Sequence, residues 1–203
     1  MRAAFAAMLA AAMMTMAATG VAQAKTETNV KVDVKRHVGT GKTIQIAGVV
    51  HPADTRRVTI KAAGKTVKSV KTNKDGTFST RWSTPGAGVY KVKAVAQATY
   101  SAERAGSAEK QVNVYRAAQA SYYGPGLYGN GTACGKTLTP STLGVANKSL
   151  PCGTMVTFRY RGNTVRVPVI DRGPYAGNRE WDLTAATKAK LGFGSTGVVL
   201  ATK

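Results

Sequence analysis

From Asn29 to Tyr115 apolar and polar residues alternate with a period of two. Val30-Lys31-Val32-Asp33-Val34 alternates strictly. Thr43–Val50, Val58–Lys61, Val67–Val70, Thr77–Trp82, Val89–Val95 and Gln111–Tyr115 follow at short, regular intervals. Successive side chains of a strand point to opposite faces, so this period predicts half-buried strands. Gly39-Thr40-Gly41 and Asn73-Lys74-Asp75-Gly76 supply turn chemistry between them. About seven short strands at this spacing predict an antiparallel β-sandwich of immunoglobulin-like type over residues 25–115. It contains no cysteine pair, so it is not of the antibody kind. Its two histidines, His37 and His51, have no neighbouring metal-ligand set and are read as surface or strand-end residues.

Arg116-Ala117-Ala118-Gln119-Ala120 reads as a short linker, and the composition changes beyond it. Gly124, Gly126, Gly129, Gly131 and Gly135 are interleaved with Tyr122, Tyr123 and Tyr128, which predicts a loop-rich entry to a second domain over 121–203. Alternation resumes at Val156–Tyr160, turns at Arg161-Gly162-Asn163, and runs again through Val165–Ile170. Pro168 lacks a ladder donor, so it belongs at an edge or a gap in pairing. Thr184–Leu191 is the one helix predicted: Thr184 can cap its start, Lys188 and Lys190 suit its negative end, and Gly192 suits its C-terminal cap. Gly197–Ala201 closes the pattern as a strand. The chain is therefore all-β, with a sandwich followed by a small β-barrel carrying one short helix.

The first 24 residues change the picture of location. Met1-Arg2 is a positive start, Ala3–Ala18 is Ala- and Met-rich and uncharged, and Ala22-Gln23-Ala24 is a cleavage-site pattern. This is a secretory signal peptide, too short and mildly apolar for a spanning helix. No long apolar run follows it, so the expectation is an exported protein with no transmembrane segment, extracellular or periplasmic. In such a compartment Cys134 and Cys152 are expected to form a disulfide. A catalytic cysteine would need a base, and the chain from Ala118 onward has no histidine. Net charge is +20, with 17 Lys and Arg against six Asp and Glu over 25–115, and ten against three from Ala118 on. Outside a cell such a field favours anionic wall polymers and anionic membrane surfaces. A nucleic-acid partner would explain the charge and nothing else, and is not expected.

Ala120-Ser121-Tyr122-Tyr123-Gly124, Gly131-Thr132-Ala133-Cys134-Gly135, Leu150-Pro151-Cys152-Gly153-Thr154, Val169-Ile170-Asp171-Arg172-Gly173-Pro174 and Trp181-Asp182-Leu183-Thr184 occur in that order. Together they resemble the rare lipoprotein A family of double-psi β-barrels, and more distantly the barrel of expansins and of one endoglucanase family. The resemblance covers about Ala118 to Lys203. It implies a six-stranded double-psi barrel acting on the bacterial wall. Some members are lytic transglycosylases that cleave naked peptidoglycan strands; others have no demonstrated catalysis. Asp182 matches the acid-type Asp of the F-D-L segment in expansins and related endoglucanases, and Asp171 matches the Asp of the D-R-G-P segment. Enzymatic members carry a Glu, an Asp and a His where this chain has Lys136, Thr139 and Asn147. The cysteine pair is a family variant, since Cys134 replaces the usual Ser and Cys152 an apolar residue.

From Ala118 onward the only carboxylates are Asp171, Glu180 and Asp182. Cleaving a glycosidic bond needs an acid to protonate the leaving oxygen, and hydrolysis usually needs a second carboxylate. A lytic transglycosylase can manage with one, because the sugar's own hydroxyl attacks. Asp182 with Asp171 therefore forms the candidate catalytic pair, with no metal or cofactor expected. Each also has a structural reading: Asp182 precedes a helix cap, and Asp171 can accept from backbone amides of its turn. Glu180 is expected to be exposed. Tyr122, Tyr123, Tyr175 and Trp181 can offer aromatic faces to sugar rings. Of the consecutive pair Tyr122 and Tyr123 at most one faces a groove, and if Asp182 faces it Trp181 is core. Arg172 can orient a carboxylate, either Asp171 or one on the wall polymer. Two classes remain open: a lytic transglycosylase, and a non-catalytic expansin-like module that binds and loosens peptidoglycan.

Overall fold

In the computed structural model, which describes residues 24–203, the alternating stretches form strands where the pattern places them. Residues 1–23, nearly all of the expected signal peptide, lie outside the described residues. The N-terminal half holds β1 (Asn29–Val34), β2 (His37–Gly39), β3 (Thr43–His51), β4 (Arg57–Ala62), β5 (Lys65–Lys71), β6 (Thr77–Ser83), β7 (Gly88–Ala96), β8 (Ala105–Gly106) and the start of β9 (Lys110–Tyr123). One sheet has the order β1–β3–β6; the other runs β5–β4–β7–β9, with β2 added beside β9 and β8 beside β7. Alternate residues of the two sheets, among them Val32, Ile46 and Val50 facing Ile60, Val92 and Val112, form the sandwich core.

Strand β9 runs without a break through Arg116–Ala120, where a linker was expected. Its first part pairs with β7 and β2, its second with β14 and β13. Ala118 and Ala120 are buried while Ala117 and Gln119 are exposed, so the segment keeps a period of two. Alanine has the weakest apolar contrast of any core residue, and that hid the strand. The two domains therefore share one strand instead of being joined by a tether.

The C-terminal half adds β10 (Val145–Ala146), β11 (Met155–Tyr160), β12 (Asn163–Asp171), β13 (Trp181–Thr184), helix α1 (Ala185–Leu191) and β14 (Gly197–Ala201). Pairing runs β9–β14–β11–β12–β10–β13 and returns to β9, a closed ring of six strands that leaves no sheet edge. Two contacts in the ring are parallel, β13 with β9 and β10 with β12. Trp181, Phe158, Leu183, Val167 and Leu191 fill the interior, with the Trp181 and Phe158 rings edge to face at 5.2 Å. Pro168 stands opposite Met155 at the last pair of the β11–β12 ladder, where a missing donor costs least. The helix is capped as the pattern predicts: the Thr184 hydroxyl accepts from the Thr187 amide, and Gly192 takes the left-handed conformation at φ 67°.

Gly144 seats this helix. Its amide donates to the Thr187 hydroxyl at 3.0 Å, and its carbonyl accepts from the same hydroxyl at 2.9 Å. A Cβ there would lie 2.4 Å from Cδ1 of Ile170, which is itself buried. Overpacking a filled site costs about 1–3 kcal/mol. Gly144→Ala should therefore lower stability by about that amount, read from denaturant unfolding; an unchanged midpoint would show that Ile170 can yield.

Candidate functional site

Two strand ends create the site. Ala146 of β10 pairs on one side with Asp171, the last residue of β12, and on the other with Asp182 of β13. The two carboxylates are therefore two strand spacings apart, roughly 10 Å between backbones, at one mouth of the barrel. Both line a groove of about 360 Å³, together with Tyr123, Arg172, Tyr175 and Arg179. The alternation along β13 turns Trp181 fully into the core and leaves Asp182 facing the groove.

Asp182 is half-buried, and its strand neighbour Ser121 donates its hydroxyl to Oδ1 at 2.7 Å. Burial raises its pKa above the ordinary carboxylate value; the Ser121 bond and Arg179 oppose the rise, and the Asp171 charge adds to it. Asp171 is held differently. Its Oδ1 accepts from the Arg172 amide at 2.8 Å and the Ala133 amide at 2.9 Å, the turn-stabilising role open to it from sequence. Tyr123 is turned toward both carboxylates, and its buried hydroxyl makes no well-formed hydrogen bond. Burial, then the charges of Asp171 and Asp182, drive its pKa far upward, so it stays a neutral phenol beside the two carboxylates.

Not every candidate reaches the groove. Tyr122 faces the other way, packing on the barrel core with Lys188 Nζ 4.1 Å from its ring centre. Tyr175 is 78% exposed at the rim and offers an open aromatic face. Arg172 does not clasp a carboxylate; its guanidinium donates to the carbonyls of Leu150 at 3.0 Å and Asn147 at 3.3 Å, and approaches Cys152 Sγ at 3.4 Å. Glu180, its side chain partly exposed, forms a two-pronged ion pair with Arg116, one arm at 2.8 Å. Asp182 thus lines the groove with its pKa raised by burial, while Asp171 beside it is engaged by the amides of its turn. Sequence reading missed Arg179 and Leu127 in the groove wall and the Ser121 bond to Asp182. Ser121 and Asp182 are 61 residues apart, and only the parallel register joins them.

Cys134 and Cys152 are bridged, with Cα atoms 5.7 Å apart. The bridge ties the loop that presents the Ala133 amide to the loop that Arg172 grips. Of the three departures from the enzymatic pattern, Lys136 and Thr139 are exposed and outside the groove. Asn147 is buried and structural: its Oδ1 accepts from the amides of Ser149 and Leu150, and its Nδ2 donates to the Glu180 carbonyl. Losing hydrogen bonds from a buried side chain to part-buried amides costs about 1–3 kcal/mol. Asn147→Ala should lose that much stability in thermal unfolding; a loss below about 0.5 kcal/mol would mean that water replaces the side chain. Among the described residues no three His, Cys, Asp or Glu are grouped to hold a metal ion, and no helix is long and apolar enough to cross a membrane.

Residues 115–201 match the family described as "Lytic transglycolase". The C-terminal domain is a rare lipoprotein A-like double-psi β-barrel. The match begins at Tyr115, inside β9, so the barrel includes the strand it shares with the sandwich. The "Probable endolytic peptidoglycan transglycosylase RlpA" of Synechocystis sp. is 42% identical over 81 residues, 39% of this chain and 25% of that protein. The "Endolytic peptidoglycan transglycosylase RlpA" of Campylobacter jejuni is 38% identical over 80 residues, 38% of this chain and 29% of that protein. The "Probable endolytic peptidoglycan transglycosylase RlpA" of Aquifex aeolicus is 36% identical over 92 residues, 44% of this chain and 41% of that protein. The chain thus spans only a quarter to two-fifths of the length of these relatives.

Proposed function

We propose that this protein binds peptidoglycan in the barrel groove and cleaves its glycan strands as a lytic transglycosylase, with Asp182 as the proton carrier. The supporting observation is a groove carboxyl whose protonated form is favoured by burial and whose orientation is fixed by the hydroxyl of Ser121. Asp182 gives its proton to the glycosidic oxygen as the bond to the anomeric carbon breaks. The C6 hydroxyl of the same muramic sugar attacks that carbon, and its proton passes to the Asp182 carboxylate. The products are a 1,6-anhydro sugar end and a free hydroxyl end, with Asp182 restored. One carboxyl suffices because no water is activated, in contrast to hydrolysis. Tyr175, exposed at the rim, can stack on a neighbouring ring. The transglycosylase names of the relatives support the same substrate class.

We read the protein as exported and retained at the wall, from the signal-peptide pattern and the charge of +20. Residues 25–115 then act as a spacer or adhesive module and 121–203 as the acting domain. Anionic wall polymers are the partners the charge favours. A second reading, a non-catalytic expansin-like module that binds and loosens the wall, is favoured by one observation. Lys136, Thr139 and Asn147 occupy positions where enzymatic members of the resembled family carry acids and a histidine. Incubation with intact peptidoglycan and with strands stripped of stem peptides, followed by mass spectrometry, separates the two. Anhydro-sugar ends support cleavage. Their absence, with salt-sensitive pelleting on the same material, supports the binding module.

A further inference from the structure

A second cleft lies where the two domains meet. It holds about 710 Å³ and is lined by Lys35, Arg36, His37 and Lys42 of the sandwich, Tyr115 of the shared strand, and Arg159 of the barrel. No Asp or Glu lines it, and none of its four permanent cations joins an ion pair among the described residues. Arg159 Nε is buried with no hydrogen-bond partner. A buried donor left unpaired is costly. His37 registers the crowding. Burial first, then Arg159 and Arg36, push its pKa below the usual imidazole value. Its Nδ1 is engaged with the Tyr115 hydroxyl at 2.9 Å, and Nε2 has no protein partner among the described residues.

We propose that this junction cleft is an anion site that holds adjacent phosphates of a phosphodiester polymer. Two guanidiniums offer planar forks of donors, and two lysines can each reach the unesterified oxygens of a neighbouring phosphate. Four cations in so small a volume match a chain with a charge in every repeat better than the separate carboxylates of stem peptides. A phosphate beside Arg159 would pair with its partly exposed side chain. It would also favour the charged form of His37, reversing the effect of the two arginines. The site rests on the wall-bound reading only for the source of the phosphates, and it is separate from the barrel groove.

The test is a pair of histidine resonances followed by NMR in the whole protein, with a glycerol phosphate oligomer as the probe. His37 reports on the cleft, and His51, outside it, is the internal control. Saturation should raise the His37 pKa by about one unit, with the His51 resonances unmoved. Arg36→Ala with Arg159→Ala should weaken binding at least about tenfold. Lys61→Ala with Lys93→Ala removes the same charge from neighbouring strands β4 and β7 and should weaken it less than about threefold. If Arg159→Ala perturbs folding, Arg36→Ala with Lys42→Ala serves in its place. Equal weakening by both pairs, no His37 response at saturation, or equally tight binding of a polyglutamate of matched charge would each overturn the site. Cleavage of glycan strands without a His37 response would sink the anion site alone. A response without cleavage would sink only the lytic reading.

Discussion

Asp182→Asn should reduce the yield of anhydro-sugar ends by about 10²–10⁴-fold, the usual contribution of a positioned proton donor, without destabilising the protein at neutral pH. The two halves of this expectation have one cause. Burial raises the pKa of Asp182 in the folded state, so folding disfavours its ionised form. Wild-type stability from this group is greatest below the unfolded carboxyl value of about 3.9 and falls as pH rises through the raised folded value. Asparagine is similar in size, carries no charge at any pH, and keeps an oxygen for the Ser121 hydroxyl. The variant should therefore gain on wild type as pH is raised from about 4 and hold that gain at higher pH. Melting curves across this range, set beside the digest, test both halves. A variant that loses stability at neutral pH would show that Asp182 is a structural carboxylate. Unchanged anhydro product would remove it as the acid.

The strands that alternated Val or Ile with charged residues were legible in the sequence, as were both caps of the helix. Three features were not, each for a physical reason. Arg116–Ala120 keeps a strand's period, but with alanine as the buried residue the contrast disappears. Strand β10 has only two residues, Val145 and Ala146, too few for any period, although it separates the two site carboxylates. The bond from Ser121 to Asp182 depends on a parallel register between distant segments, which no local pattern encodes. The candidate residues themselves divide in the same way. Asp171, Asp182, Tyr123 and Tyr175 converge on one groove because their motifs end strands or begin turns at the same mouth of the barrel. Tyr122 is excluded by strand alternation. The ion pair of Glu180 was not legible because its partner Arg116 belongs to the shared strand, 64 residues away.

Replacing Cys134 and Cys152 together by serine should destabilise the barrel by about 3 kcal/mol, within a usual range of roughly 2–5. For a domain of this size that lowers the melting temperature by roughly 10–20 °C. The bridged residues are 18 positions apart, and the loop between them contains β10 and Asn147. Opening the bridge therefore frees the strand that spaces Asp171 from Asp182. The amides of Ala133 and Cys134 anchor one end of that loop, through Asp171 Oδ1 and the Ile170 carbonyl at 3.2 Å. Arg172 anchors the other through Leu150. These contacts remain possible without the bridge, but each must then hold a longer free chain. Peptidoglycan processing should consequently fall several-fold even at temperatures where the variant is still folded. Reduction of the wild-type protein should reproduce both effects and reoxidation should reverse them. If the reduced protein melts where the oxidised one does, the bridge adds nothing to the barrel. If it melts earlier but processes strands normally below its transition, Asp171 and Arg172 hold their loops without help.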